Sequence, residues 1–358
     1  MAILKPDSTS NSKPLVGSTP TINVSSIEGS ANATVRALSS DPDGNLLFTD
    51  ISPLTVYSFY EIIFQGTVSG YTSGGYSPTV SSTLSTIEKF PFSSDTNATS
   101  VGDLTQARSR MTGQSSSDNG YTSGGLPAPT PPFGGSIIEK FPFSSDANAV
   151  GVGDLTVDKY DMAGQSSDYN GYVSGGQTPS IINTIEKFPF NSDTNATDIA
   201  DLTIARYGGS GQSSTTHGYT SGGYYDRDII DRFPFSSDAN ASDVGELTSI
   251  KIRASGQSSR THGYSSGGYF SPTNTAINVI EKFSFAASSN GADVGDLTTA
   301  KWNMSGQSSV TNGYAAGGRI STPVYTAIIE KFPFASDTNA TNIGSLTQVK
   351  STEAGHQI

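Results

Sequence analysis

"IEKFPFSSDTNATSVGDLT" (Ile87–Thr105) decides the fold, because close copies of it follow five more times before residue 358. Each copy is preceded by a second phrase, as in "GQSSTTHGYTSGG" from Gly211 to Gly223. Its glycine–tyrosine core begins at Gly70, Gly120, Gly171, Gly218, Gly263 and Gly313, with successive spacings of 50, 51, 47, 45 and 50 residues. A unit repeated so closely must occupy nearly the same environment each time, which a closed ring or a long stack supplies.

Within one period four strand-sized pieces are legible. The first surrounds "GQSS" and the second is "GYTSGG" with its tyrosine as packing group. The third is "IEKFPF", where period-2 alternation sets Glu88, Phe90 and Phe92 on one face and Ile87 and Lys89 on the other. The fourth lies around "VGDLTQAR", anchored by Val101 and Leu104. Short strands joined by Gly-, Asn- and Asp-rich turns predict an all-β chain: a six-bladed β-propeller of four-stranded blades. The segment after each double glycine varies most, from "YSPTVSSTLST" to "YYDRD", while "SSDTNAT" hardly changes. The variable loops are therefore expected on one face, where binding differences accumulate. Either end of the chain could complete the ring: "YEIIFQGTV" (Tyr60–Val68) and the tail "STEAGHQI" both read like the first strand.

Composition agrees and excludes. Apolar residues make up 34% and no helical stripe appears, so the core is lean and built of strands. A net charge of −12 with 20 Lys plus Arg leaves no basic stripe for nucleic acid. Without cysteine there are no disulfides, thiolate metal sites or cysteine nucleophiles. The start lacks an apolar signal region, and "LTVYSFYEIIF" (Leu54–Phe64) is too short to span a bilayer, so no membrane insertion is expected. Residues 1–55 do not repeat and read as an arm, with a hairpin at Thr34–Asp50 turning at "DPDG". Residues 56–358 form the propeller.

The order "R…GQSS…GYTSGG…IEKFPF…LT" resembles a kelch repeat. Its double glycines are Gly74–Gly75, Gly124–Gly125, Gly175–Gly176, Gly222–Gly223, Gly267–Gly268 and Gly317–Gly318. Its acidic–aromatic pairs are Glu88/Phe90, Glu139/Phe141, Glu186/Phe188, Asp231/Phe233, Glu281/Phe283 and Glu330/Phe332. Leucines (Leu104, Leu155, Leu202, Leu247, Leu297, Leu346) stand near the place of the family's fourth-strand tryptophan. The wording also resembles repeat proteins in the virions of tailed phages, notably phages of cyanobacteria. That resemblance implies a non-enzymatic virion protein of tail, fibre or capsid; the alternative reading of the same propeller is a secreted or cell-surface lectin or matrix protein that binds glycans. The virion protein would be attached to other virion proteins through residues 1–55, would face a host-surface glycan or protein, and would be a homo-oligomer.

Candidate chemistry is sparse. Asp95, Asn97 and Asp103 carry oxygens that could hold Ca²⁺, but Asx-turns explain the same residues, and no metal or cofactor is expected. His217 and His262 replace Asn of other copies and read as turn residues; His356 stands alone in the tail. No nucleophile elbow with partners appears, and the copper chemistry of kelch-fold oxidases needs a cysteine. The six repeated carboxylates read as scaffold, paired with Arg108, Lys159, Arg206, Lys251, Lys301 and Lys350, so a non-enzymatic protein is expected. Sequons such as Asn97–Thr99 and Asn195–Thr197 ride along with the repeat. Binding, if it uses side chains, falls to the aromatics after the double glycines: Tyr76, Tyr224, Tyr225, Tyr269 and Phe270, with Trp302 a weaker candidate.

Overall fold

The computed structural model describes residues 65–127, 134–224, 228–273 and 275–358, together with the backbone of strands Arg36–Ser40 and Leu46–Asp50. Those two strands pair antiparallel, Arg36 opposite Asp50, as the hairpin reading requires; its "DPDG" turn lies outside the described residues. The chain divides into two units, residues 1–61 and residues 62–358.

The second unit is a six-bladed propeller. Each blade is one antiparallel sheet of four strands running from the axis outward. In blade 3 these are Ala163–Ser166, Asn170–Ser174, Thr184–Pro189 and Thr197–Asp201. The only described helix is a 3-10 turn at Ser271–Thr273, and no described helix is long and apolar enough to cross a membrane. In blade 1 the innermost strand comes from the tail: Ala354–Gln357 pairs with Ser69–Ser73, Ala354 opposite Ser73 and Gln357 opposite Gly70. The tail therefore closes the ring. Of the competing "YEIIFQGTV", residues 65–68 lie outside this sheet, with Gly66 bridging to Ser309, and the rest falls outside the described residues.

The strand faces explain why every repeat carries the same letters. Ile87 faces blade 2, in a cluster with Tyr71, Leu104 and Phe141, while Phe90 faces blade 6 beside Tyr314 and Ile329. Both faces of the third strand are thus buried in seams between blades. Each second-strand tyrosine packs across a seam on the last phenylalanine of the next blade's third-strand segment; five of the six pairs are stacked, as Tyr121 is on Phe190 at 4.7 Å, and Tyr71–Phe143 is tilted. An offset pair of this kind contributes about 0.5–1.5 kcal/mol beyond its buried area.

Polar groups close three further rings. Glu139 takes Arg108 from the preceding blade, and the other five pairs, Lys159–Glu186, Arg206–Asp231, Lys251–Glu281, Lys301–Glu330 and Lys350–Glu88, span 2.5–3.1 Å. Burial drives the Lys159 and Lys251 ammonium groups below their ordinary range, and Glu186 and Glu281 oppose that shift. Each carboxylate also accepts the N–H of the threonine after the fourth-strand leucine, as Glu186 does from Thr156 at 3.0 Å. In the second ring, the asparagine of each "TNA"-type turn accepts a backbone N–H from the neighbouring blade, for example Asn97 from Ser345 at 3.0 Å. The expectation that these asparagines serve their own turns is corrected: the seam, not the turn, uses them. True Asx-turns occur further along, at Asp243, Asp293 and Asn342.

The third ring surrounds the axis. Inner strands are sheet edges, and edges need covering. Ser115 N–H donates to Ser166 Oγ, Ser166 to Ser213, Ser213 to Ser258, Ser258 to Ser308, Ser308 to Gln357 Oε1, and Gln357 back to Ser115. This lateral pairing needs very close approach. A Cβ added at Gly113, Gly164, Gly211, Gly256, Gly306 or Gly355 would lie well under 3.0 Å from the carbonyl oxygen of the next glycine in the circle.

Candidate binding face

Antiparallel blades place the connections after the double glycines and those entering each inner strand at one end of every sheet. These two sets of segments are bonded to each other in every seam. Tyr76 N–H donates to Ser351, Tyr224 to Tyr207, Tyr269 to Ile252 and Arg319 to Trp302, all at 2.8–2.9 Å. The variable residues thus share one face, each held at its base by invariant backbone geometry.

The positions after the double glycines are half-buried rather than freely exposed. Tyr76, Tyr224, Tyr269 and Phe270 all have this character, and Tyr225 lies outside the described residues. What the structure adds is their company. Tyr269 packs on Trp302 with ring centres 5.1 Å apart, and the Arg319 guanidinium covers Trp302 at 5.4 Å and Tyr325 at 5.3 Å. Tyr325 in turn meets Tyr76 at 6.0 Å. An unbroken arc of rings and one cation therefore crosses blades 5, 6 and 1. Trp302 is 7% exposed and supports the arc from beneath. Tyr224 belongs to a second group, stacked on Tyr207 at 4.7 Å, with Arg253 5.7 Å above the Tyr207 ring.

That second group sits at the mouth of the axis. Arg110, Asp161, Gly208, Arg253, Asn303 and Thr352 occupy equivalent positions with φ between 55° and 67°. Each donates its N–H to the carbonyl of the previous one, at 2.6–3.0 Å, and Arg110 closes the circle on Thr352. Left-handed backbone costs a non-glycine residue about 1–2 kcal/mol. Gly208 shows that glycine suits the position, yet five of the six carry a side chain. Asp161 accepts from Arg253 at 2.9 Å and from Arg110 at 3.4 Å, so the trio keeps one net positive charge. Arg110 also lies over Tyr160, at 5.6 Å.

The axis itself is too narrow for a ligand of sugar size. Its larger cavity is ≈ 130 Å³ and its smaller ≈ 80 Å³, on either side of the glycine circle. At about 30 Å³ per water the larger holds roughly four waters, against some 300–1,000 Å³ for small-molecule pockets.

The other candidates disperse. Asp95 takes Lys331 at 2.6 Å, Asn97 takes the Ser345 amide, and Asp103 takes Ser85 at 2.8 Å, so their oxygens do not converge. No group of three or more His, Asp or Glu side chains among the described residues is placed to hold a metal. His217 and His262 contact the threonine before them at 2.8 Å, and burial lowers both below the ordinary imidazole value.

Two residues were missed from the sequence. His356, read as solitary, is fully buried in the closing strand. Its Nε2 lies 2.9 Å from Ser73 Oγ and its Nδ1 3.2 Å from the Gln114 carbonyl. Glu353, three residues earlier, is 5% exposed and lines the larger axial cavity, with no hydrogen-bond partner on either carboxylate oxygen. Aligning "TEAGH" with "DMAGQ" (Asp161–Gln165) would have exposed both, since it sets Glu353 in the column of Met162 and His356 in that of Gln165. No family model matches the chain, and no curated protein matches it.

Proposed function

We propose that this chain is a non-enzymatic binding propeller of a phage virion, docking a host-surface glycan or protein on its loop face and anchored to other virion proteins through residues 1–55. The supporting observation is the arc Tyr269–Trp302–Arg319–Tyr325–Tyr76, a run of adjoining aromatic and cationic side chains among the described residues of the variable face. Rings with a guanidinium among them suit the apolar faces of sugars and their hydroxyl or carboxylate groups. The repeated carboxylates are spent inside the seams, which favours scaffold over catalysis. The virion setting draws on the kelch-like and phage-like wording of the repeat. A free lectin built on the same propeller would use the same arc.

The test passes the full chain over immobilised polysaccharides of bacterial surfaces. Retention without release of sugar fragments is expected, and failure on every polymer, or turnover of one, would contradict the binding reading. Deleting residues 1–55 is expected to remove the protein from assembled particles. Unchanged incorporation would point to the free lectin instead.

A further inference from the structure

Five inner strands are joined to the second strand of their own blade by a short turn; the inner strand of blade 1 is not. It reaches Ser69–Ser73 from the far end of the sequence and is held in its sheet by pairing alone. At two positions of the inner strand and its approach, only blade 1 carries a titratable group. Glu353 replaces Met111, Met162, Gly209, Ala254 and Met304, and His356 replaces Gln114, Gln165, Gln212, Gln257 and Gln307. The glutamines reach across the seam to a backbone carbonyl, as Gln165 does to Tyr219 at 2.9 Å.

We infer that Ala354–Gln357 is a pH-limited latch, which closes the ring while the Glu353 carboxyl and the His356 imidazole are both uncharged and opens ahead of the other inner strands when Glu353 ionises. Glu353 lies against Gly317, where an added Cβ would collide with Oε1, and beside Gly75. The charged groups that face it are Lys350, Glu88 and Lys301. Both lysines are paired elsewhere, with Glu88 at 2.5 Å and Glu330 at 2.7 Å, and their pull on the Glu353 carboxyl is outweighed by its burial. His356 meets the hydroxyls of Ser73 and Thr122, the Gln114 carbonyl and the edge of Phe141 at 5.1 Å.

Burial pushes Glu353 up to about 8 and His356 down to about 4. For Glu353 the closed-state value is raised, so its contribution is complete below the ordinary carboxyl value of 4.5 and is lost as pH rises through 8. For His356 the closed-state value is depressed, so its contribution is complete above 6.5 and is lost as pH falls through 4. Between about 4.5 and 6.5 the two slopes oppose each other. Above 6.5 only Glu353 acts, and opening should grow by roughly tenfold per pH unit up to 8.

Hydrogen–deuterium exchange on the full chain reads this directly. After correction for intrinsic exchange, protection of the amides in Ser69–Ser73 and Ala354–Gln357 should fall at least tenfold between pH 6.5 and 8.5. Protection of Ser210–Ser213 and Ser255–Ser258 should stay level. Glu353→Met, which installs the residue of three other seams, should remove the difference, and Glu353→Gln serves if the methionine variant fails to fold. Equal protection of all inner strands at pH 8.5, or the wild-type loss persisting in a folded Glu353 variant, would overturn the latch.

Discussion

Gly211→Val is expected to abolish the folded ring. The added Cβ would fall well under 3.0 Å from the Gly164 carbonyl oxygen, and two backbones cannot separate there without breaking the serine circle. The cost should exceed about 4 kcal/mol, the range reserved for gross steric conflict in a packed core. Gly151→Ala is the control: its Cβ would meet only Ile137 Cδ1 at 3.5 Å, and a change within about 0.5 kcal/mol is expected. Gel filtration and thermal melting followed by circular dichroism compare the two. A stable Gly211→Val protein would mean that the inner strands do not meet as described.

Lys159→Met should cost about 3–5 kcal/mol, because Glu186 would be left charged and buried without its partner. The double change Lys159→Met with Glu186→Leu should recover much of that loss, since two well-packed apolar groups can replace a buried pair at little cost. Recovery will be incomplete. Glu186 also accepts the Thr156 amide, and an orphaned N–H costs about 1–3 kcal/mol. Urea unfolding of the wild type, both single variants and the double variant gives the coupling. Additive losses would contradict a tightly coupled pair.

The scaffold was legible because each of its contacts is repeated. Six copies of "IEKFPF" announce that Ile87 and Phe90 face different neighbours, and six acidic residues keeping step with six bases announce the seam pairs. Closure was not legible, because strand-like letters occur at both ends of the repeat array and only pairing geometry selects Ala354–Gln357. The aromatic arc was half legible. The period locates Tyr76 and Tyr269, but it says nothing of Tyr76 touching Tyr325 across the closing seam, nor of Arg319 bridging Trp302 and Tyr325. Such contacts arise where the copies differ, so no repetition marks them.

The repeated letters build the closed ring, and the proposed function assigns recognition to the variation on one face. The most direct test of that division is affinity electrophoresis in the polysaccharide that best retains the full chain. The comparison is between wild type, the double variant Tyr76→Ala/Tyr325→Ala on the loop face, and Tyr169→Ala, a ring 71% exposed on the opposite face. At least a tenfold loss of affinity for the double variant is expected, as for aromatic anchors generally, with Tyr169→Ala unchanged. Full retention of the double variant together with loss in Tyr169→Ala would contradict it, and would move recognition to the constant face.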